Sequence, residues 1–261
     1  MKKALLIIAG VIVLIVLLLL GYLGFIPGLS TLMGSNKPRD LGVTYTDADR
    51  QAARDRSQVE FQALPADTPD ELSLQRIGSR PVTASFSSSE ITALMNDRPY
   101  KYWPYKDVQI KFNADGTTEV SGALIKTRVP GYCAAIGIPK EMVAKIMHYL
   151  PSEPIYYVKG KASLVDNKVA IFEPEKFELG RMPLPVGMFL SKADSSMTAY
   201  ALDTNELSSD LSKASGKKAI IINYINDHLA SIKGFFAKSA YSSEDKLNFD
   251  GNLNETELTT R

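Results

Sequence analysis

The sequence predicts an α+β protein: an N-terminal transmembrane helix followed by a mainly antiparallel β-sheet domain with several helices, in a pattern that allows two similar halves. Three observations carry this. Residues Ala4 to Ile26 hold no charge. Several later segments alternate apolar and polar residues with period two, and they are separated by short Asn, Asp and Gly turns. Between them lie stretches whose apolar residues recur at helical spacing.

The apolar run comes first. At about 1.5 Å per residue, its 23 positions reach roughly 34 Å, enough for a hydrocarbon core of about 30 Å. Seventeen of them are Leu, Ile, Val or Phe, which favour insertion by about 5 to 10 kcal/mol in total. A cleaved signal peptide would have a shorter apolar region ending at a small-x-small site, and the nearest such site is Gly28-Leu29-Ser30 after Pro27. Lys2 and Lys3 precede the run, so the positive-inside bias places the N-terminus in the cytoplasm and the C-terminal domain outside the cell membrane. The expected divisions are 1–27 as cytoplasmic stub and anchor, 28–80 as a juxtamembrane tether with a charged helix, and 81–261 as an extracytoplasmic α+β domain.

Within the tether, Thr46 and Asp49 form a capping-box pattern for a helix from Thr46 to about Phe61. Residues 63–70 read as a Pro/Asp/Thr linker. Pro81 to Phe86 is β-prone, and Ser88 or Ser89 can cap a helix from Glu90 to Asn96. Val108, Ile110 and Phe112 alternate with Gln109 and Lys111, Asn113 to Gly116 supplies a turn, and Val120, Gly122 and Leu124 form the return strand. Pro139 opens a helix to about Tyr149, with Met142, Val143, Ile146 and Leu150 on its apolar side. Ile155 to Leu164, a turn at Asp166-Asn167 and Lys168 to Phe172 make a second hairpin. A further short strand is marked by Phe177 and Leu179. A helix from Lys218 to Leu229 and a hairpin of Phe235 to Tyr241 with Leu247 to Leu253 close the chain.

Two of these units share a pattern. Ile91 to Asp97 and Ile221 to Asp227 each end in Asn-Asp, and each precedes a hairpin. The asparagines are 226 − 96 = 130 apart and the return-strand glycines 251 − 122 = 129 apart, which is compatible with duplication.

The net charge of +1 becomes 1 − 2 = −1 once Lys2 and Lys3 are set aside. A nearly neutral domain lacks the basic face that nucleic-acid binding requires. With one cysteine there is no internal disulfide and no CxxC knuckle. No cofactor or metal is implied, since HExxH, GxSxG and Gly-rich phosphate loops are missing from the sequence. Cys133 with His148 could form a thiolate dyad only if the chain folds back, and a small buried residue and a helix-end histidine explain them more simply. Asp203 and Glu206, in a polar stretch, are ordinary loop carboxylates before they are a glycosidase pair.

Two apolar segments are candidates for contact with a ligand or partner. Tyr100, Tyr102, Trp103 and Tyr105 crowd one Pro-bounded loop, where rings with polar tips suit a ligand mouth, a protein contact or a membrane interface. Met182, Leu184, Val186, Met188 and Phe189 could line a groove for an acyl chain. Capping or filling the core is the bland reading of both.

The C-terminal two thirds resembles the YpmS-like group of bacterial single-pass membrane proteins. The resemblance is carried by Phe86-Ser-Ser-Ser-Glu-Ile-Thr-Ala-Leu-Met-Asn96, Pro154-Ile-Tyr-Tyr-Val-Lys-Gly160 and Phe177-Glu-Leu-Gly-Arg-Met-Pro-Leu-Pro-Val186, followed by Leu190. It implies an envelope-facing module of antiparallel strands and helices, and no activity. The expectation is therefore a non-enzymatic, membrane-anchored binding module of the cell envelope for a hydrophobic ligand or protein partner. The alternatives are an assembly protein without a ligand and a hydrolase.

Overall fold

In the computed structural model, residues 2–138, 143–144, 147–184 and 216–261 are described, with side chains from Ile8 onward apart from 216–218 and 220. The fold is mixed α/β, with a mainly antiparallel, curled sheet and several helices.

Helix α1 runs Lys2–Leu23. Every residue from Ile8 to Leu19 is exposed, so the helix stands clear of the body until Leu20. Among the described residues, no helix is long and apolar enough to cross a membrane. The part of α1 whose side chains are described, Ile8–Leu23, is about 24 Å long, whereas the whole helix is about 33 Å. A short helix, α2 (Pro27–Leu32), follows. The carbonyls that end α1 are not left to solvent: Ser30 and Ser35 both donate their hydroxyls to Gly21 O, at 2.9 and 2.6 Å.

Helix α3 (Asp47–Ser57) opens on the expected reciprocal box, with Thr46 as its cap and the Asp49 carboxylate accepting from the Thr46 N–H. It ends earlier than expected. Gln58 turns left-handed at φ 54°, and Glu60–Ala63 becomes strand β1 instead of a last helical turn. Strands β2 (Leu74–Ile77) and β3 (Arg80–Ser87) follow. Helix α4 (Ser88–Asn96) is capped by Ser87 and not by Ser88 or Ser89 as expected, because Glu90 at the third position completes a second capping box. The expected hairpin is present as β4 (Tyr105–Phe112) and β5 (Thr118–Leu124), with Ile110 opposite Val120.

A helix that the sequence reading missed, α5 (Val129–Ala135), begins with proline at its second position. The helix expected from Pro139 to Tyr149 falls largely outside the described residues. Next come β6 (Ile155–Val165), β7 (Lys168–Leu179) and β8 (Met182–Leu184). The two short strands expected at Lys168–Phe172 and Phe177–Leu179 are thus one strand. Pro174 is accommodated at a bulge opposite Gly160, where a Cβ would sit 2.6 Å from Glu173 O. Helix α6 (Gly216–Ser231), strands β9 (Phe236–Ser243) and β10 (Lys246–Leu253), and the unexpected strand β11 (Thr256–Thr259) complete the chain.

The main sheet runs β3-β10-β9-β6-β5-β4, with β7 on the other edge of β6 and β8 beyond it. One edge of β6 is shared: Ile155–Gly160 pairs with β5, and Ser163–Val165 pairs with β9. The two hairpins therefore meet tip to tip along β6, where Asp245 N–H donates to Phe112 O at 3.0 Å and Thr118 Oγ bonds Ser242 Oγ at 2.7 Å. The two helix-and-hairpin units do not occupy equivalent places. β5, the second strand of its hairpin, contacts β6, whereas in the other unit β9, the first strand, does so. Helix α4 packs on β4, and α6 packs on β7.

Residues 28–80 are more than a tether. β1 and β2 flank the C-terminal β11 in a three-stranded sheet, with β1 parallel to β11. The charges of α3 face α4: Arg50 and Arg54 pair with Asp97, and Arg56 pairs with the buried Glu90. Residues 38–45 cross one face of the sheet as a strap. Arg39 N–H donates to Ser121 Oγ at 2.6 Å, Leu41 N–H to Gln109 Oε1 at 2.7 Å, and Ser89 Oγ to Thr44 O at 2.7 Å. The Arg39 guanidinium grips the buried Glu178 with two hydrogen bonds of 2.7 and 2.8 Å and lies over the Tyr157 ring. Those bonds are charge-assisted and bidentate, the stronger kind.

Candidate functional site

The strap lies on the polar face. Side chains alternate in strands, so the residues between Gln109, Ser121, Tyr157 and Glu178 point to the opposite face. The observed register aligns them in a row across five strands: Ile110 opposite Val120, Val120 opposite Val158, Val158 opposite Phe177, and Phe177 opposite Leu184. At about 4.8 Å per strand, the row is roughly 19 Å long. A second row runs beside it, from Gly122 through Tyr156 and Leu179 to Met182. A Cβ at Gly122 would lie 2.7 Å from the Tyr156 hydroxyl and 3.1 Å from Val108, so the glycine lets the Tyr156 ring lie across it.

Helix α4 covers the β4 end of these rows, with Ile91 and Met95 packed on Val108, Ile110 and Phe112. Toward β8 the face is only half-covered: Val120, Val158, Phe177, Leu179, Met182 and Leu184 all retain intermediate exposure.

The aromatic loop closes one end of this face. Tyr100 and Trp103 are buried, and Tyr132 from α5 touches both of them and Tyr105, with centroids 6.4, 5.7 and 6.1 Å away. Each edge-to-face pair adds about 0.5 to 1.5 kcal/mol beyond burial. The polar tips are used internally. Tyr100 bonds Ser73 Oγ at 2.8 Å, Tyr102 donates to Asp70 Oδ1 at 2.5 Å, and Trp103 Nε1–H donates to Met95 O at 2.7 Å. The C-terminal strand fastens the loop from outside, through Lys101 N–H to Thr260 O at 2.9 Å and Thr259 Oγ to Pro99 O at 2.6 Å. Burial raises the phenols of Tyr105, Tyr132 and Tyr156 above their ordinary value and pushes Tyr100 up to about 12. The aromatic cluster is thus a plug whose raised phenols stay neutral.

The two segments singled out in the sequence come together in part. Tyr105 meets Tyr156 at 6.3 Å, and Tyr156 stands in the row that ends at Met182. The aromatic loop, Met182 and Leu184 therefore border one apolar face. Val186, Met188 and Phe189 lie outside the described residues. Sequence reasoning missed Tyr132, Tyr156, Val158 and Phe177. The strand alternation of Tyr156 and Val158 was visible, but which strand would stand opposite which was not.

The polar candidates are engaged elsewhere. Cys133 is half-buried, and burial raises its thiol, the reverse of what an activated nucleophile needs. The His148 ring lies 5.4 Å from Tyr149 on the surface. His228 is stacked on Tyr224, and burial, then Arg76, lowers its affinity for a proton. Asp203 and Glu206 lie outside the described residues. Among the described residues, no group of three or more His, Cys, Asp and Glu side chains could hold a metal ion. No protein-family model, curated protein or solved structure matches the chain.

Proposed function

We propose that the chain is a non-enzymatic module of the cell envelope, held in the cell membrane by α1 with its N-terminus cytoplasmic, that binds a hydrophobic ligand on the apolar face of its sheet. The apolar row from Ile110 to Leu184 carries this reading. An apolar surface that is long, partly open and bounded by an aromatic plug suits an acyl chain better than a polar substrate. The anchor is supported by the uncharged sequence from Ala4 and by the exposure of every residue from Ile8 to Leu19. A membrane would supply both the anchor's solvent and the ligand, and tethering raises the effective concentration of one for the other.

The test uses the full chain in phospholipid vesicles containing a photoactivatable fatty acid. Peptides from residues 155–184 acquire label, and Val158→Trp, which fills the face, removes that label while α1 stays labelled. Label confined to α1 in the unaltered protein overturns the ligand reading. Extraction of the protein from vesicles by alkaline carbonate overturns the anchor.

A further inference from the structure

The end of α1 is built into the body, not hinged to it. Arg181 N–H donates to Tyr22 O at 2.9 Å in the β7–β8 turn, and Phe25 N–H donates to Leu20 O at 2.9 Å. The turn approaches so closely that a Cβ on Gly180 would lie 2.5 Å from Tyr22 O. Gly21 faces Leu29 of α2 at a distance that would place its own Cβ 2.5 Å from that side chain. On a third side a Cβ on Gly24 would be 3.7 Å from Pro151, and the neighbouring Leu150 carbonyl is held by Lys126 Nζ at 2.7 Å. The α2 helix, the 149–151 loop and the β7–β8 turn thus form a collar around the last turn of α1.

Four large groups on or beside that collar face solvent: Tyr22 at 39% exposure, Phe25 at 39%, Leu32 at 83% and Tyr149 at 76%. A leucine this exposed at the end of α2 is packed on nothing. Length supplies its partner. The uncharged part of α1 that precedes Leu20, Ala4–Leu19, reaches about 24 Å, some 6 Å short of a hydrocarbon core of about 30 Å. If α1 spans the bilayer, the lipid surface reaches the collar before the helix ends. Tyrosine and phenylalanine are suited to that boundary, having apolar bodies that fit the interface.

From this we infer that Tyr22, Phe25, Leu32 and Tyr149 form a lipid-contacting ring. It seats the β7–β8 end of the sheet in the headgroup region and fixes the orientation of the whole domain on the membrane. The inference rests on the anchor reading above and adds the rigid seat. It also places the Met182–Leu184 edge of the apolar face, which begins one residue after Arg181, at the bilayer surface.

The experiment labels single cysteines with an environment-sensitive fluorophore in the full chain carrying Cys133→Ser, reconstituted in phosphatidylcholine/phosphatidylglycerol vesicles. Sites are Leu32→Cys and Tyr149→Cys in the ring, Val13→Cys on α1, and Ile171→Cys as control. Ile171 pairs with Ser163, eight residues along β6 from Ile155, whose carbonyl accepts from Gly180 N–H, which puts it about 26 Å from the collar. The expected result is quenching of the Leu32 and Tyr149 probes by headgroup-proximal nitroxide lipids and their protection from aqueous iodide, with the Ile171 probe behaving oppositely. Iodide reaching the Leu32 and Tyr149 probes while the Val13 probe stays protected overturns the ring and leaves the anchor standing, with the bilayer thinned around a short helix. Iodide reaching the Val13 probe overturns both.

Discussion

Replacing Arg98 by methionine should loosen the union of β11 with the aromatic plug. The Glu257 side chain on β11 is 2% exposed, and Arg98 clamps it with Nε at 3.0 Å and Nη2 at 2.6 Å from Oε1, and with a second contact from Nη2 to Oε2. Arg98 also lies 4.8 Å over the Trp103 ring. Arg98→Met keeps much of the side-chain volume and leaves a buried carboxylate facing only Arg76 at 3.5 Å. Breaking a buried pair from one side costs about 3 to 5 kcal/mol. Because Arg76 remains and Arg98 is itself 25% exposed, the lower end applies, about 3 kcal/mol. Loss of the cation–π contact adds about 0.5 to 1 kcal/mol. With a urea slope of about 2 to 3 kcal/mol per molar, the unfolding midpoint should fall by about 1 to 2 M. The assay is urea unfolding of the full chain in detergent micelles, followed by fluorescence of the one tryptophan, Trp103, and by circular dichroism in parallel. The double variant Arg98→Met with Glu257→Met should recover most of the loss, since no charge is then left buried alone. An unmoved midpoint in the single variant, or a double variant as weak as the single, would refute the reasoning.

Two further outcomes follow from the same structure. Tyr100, Tyr105, Tyr132, Tyr156 and Tyr157 all have folded-state phenols raised above the ordinary value of about 10, chiefly by burial, so the neutral form favours the folded state. Their contribution to stability is whole below about pH 10 and is lost as pH rises from there through about 12, the value for Tyr100. In an ultraviolet titration these five of the twelve tyrosines should ionise late and together with unfolding, and smooth ionisation of all twelve near pH 10 would contradict this. Gly180→Ala must place a Cβ against Tyr22 O in a backbone of φ 63°, at a cost of about 1 to 3 kcal/mol. Hydrogen exchange at the Arg181 amide should accelerate while the β4–β5 hairpin stays protected, and equal protection in variant and parent would show that α1 is not held there.

Local chemistry made much of the fold legible in the sequence. The capping box at Thr46/Asp49 joins residues three apart and is read directly, whereas the one at Ser87/Glu90 is missed for a cap at Ser88 or Ser89. The β4–β5 and β9–β10 hairpins are set by period-two alternation around short turns. The short strands β1, β2 and β11 were not legible, because four residues give too little alternation to read and their pairing joins Glu60 to Thr256 across most of the chain. The strand expected to end at Phe172 runs on through Pro174, because Gly160, fourteen residues earlier, makes room for it. The same division holds at the candidate site. Composition marked the aromatic loop and the Met182–Leu184 segment as apolar, and residue identity alone decided that. Only tertiary register could decide that Leu184, Phe177, Val158, Val120 and Ile110 stand in one line. A shift of one residue in any strand would turn its side chains to the polar face beneath the strap, and nothing within a single strand records its partner.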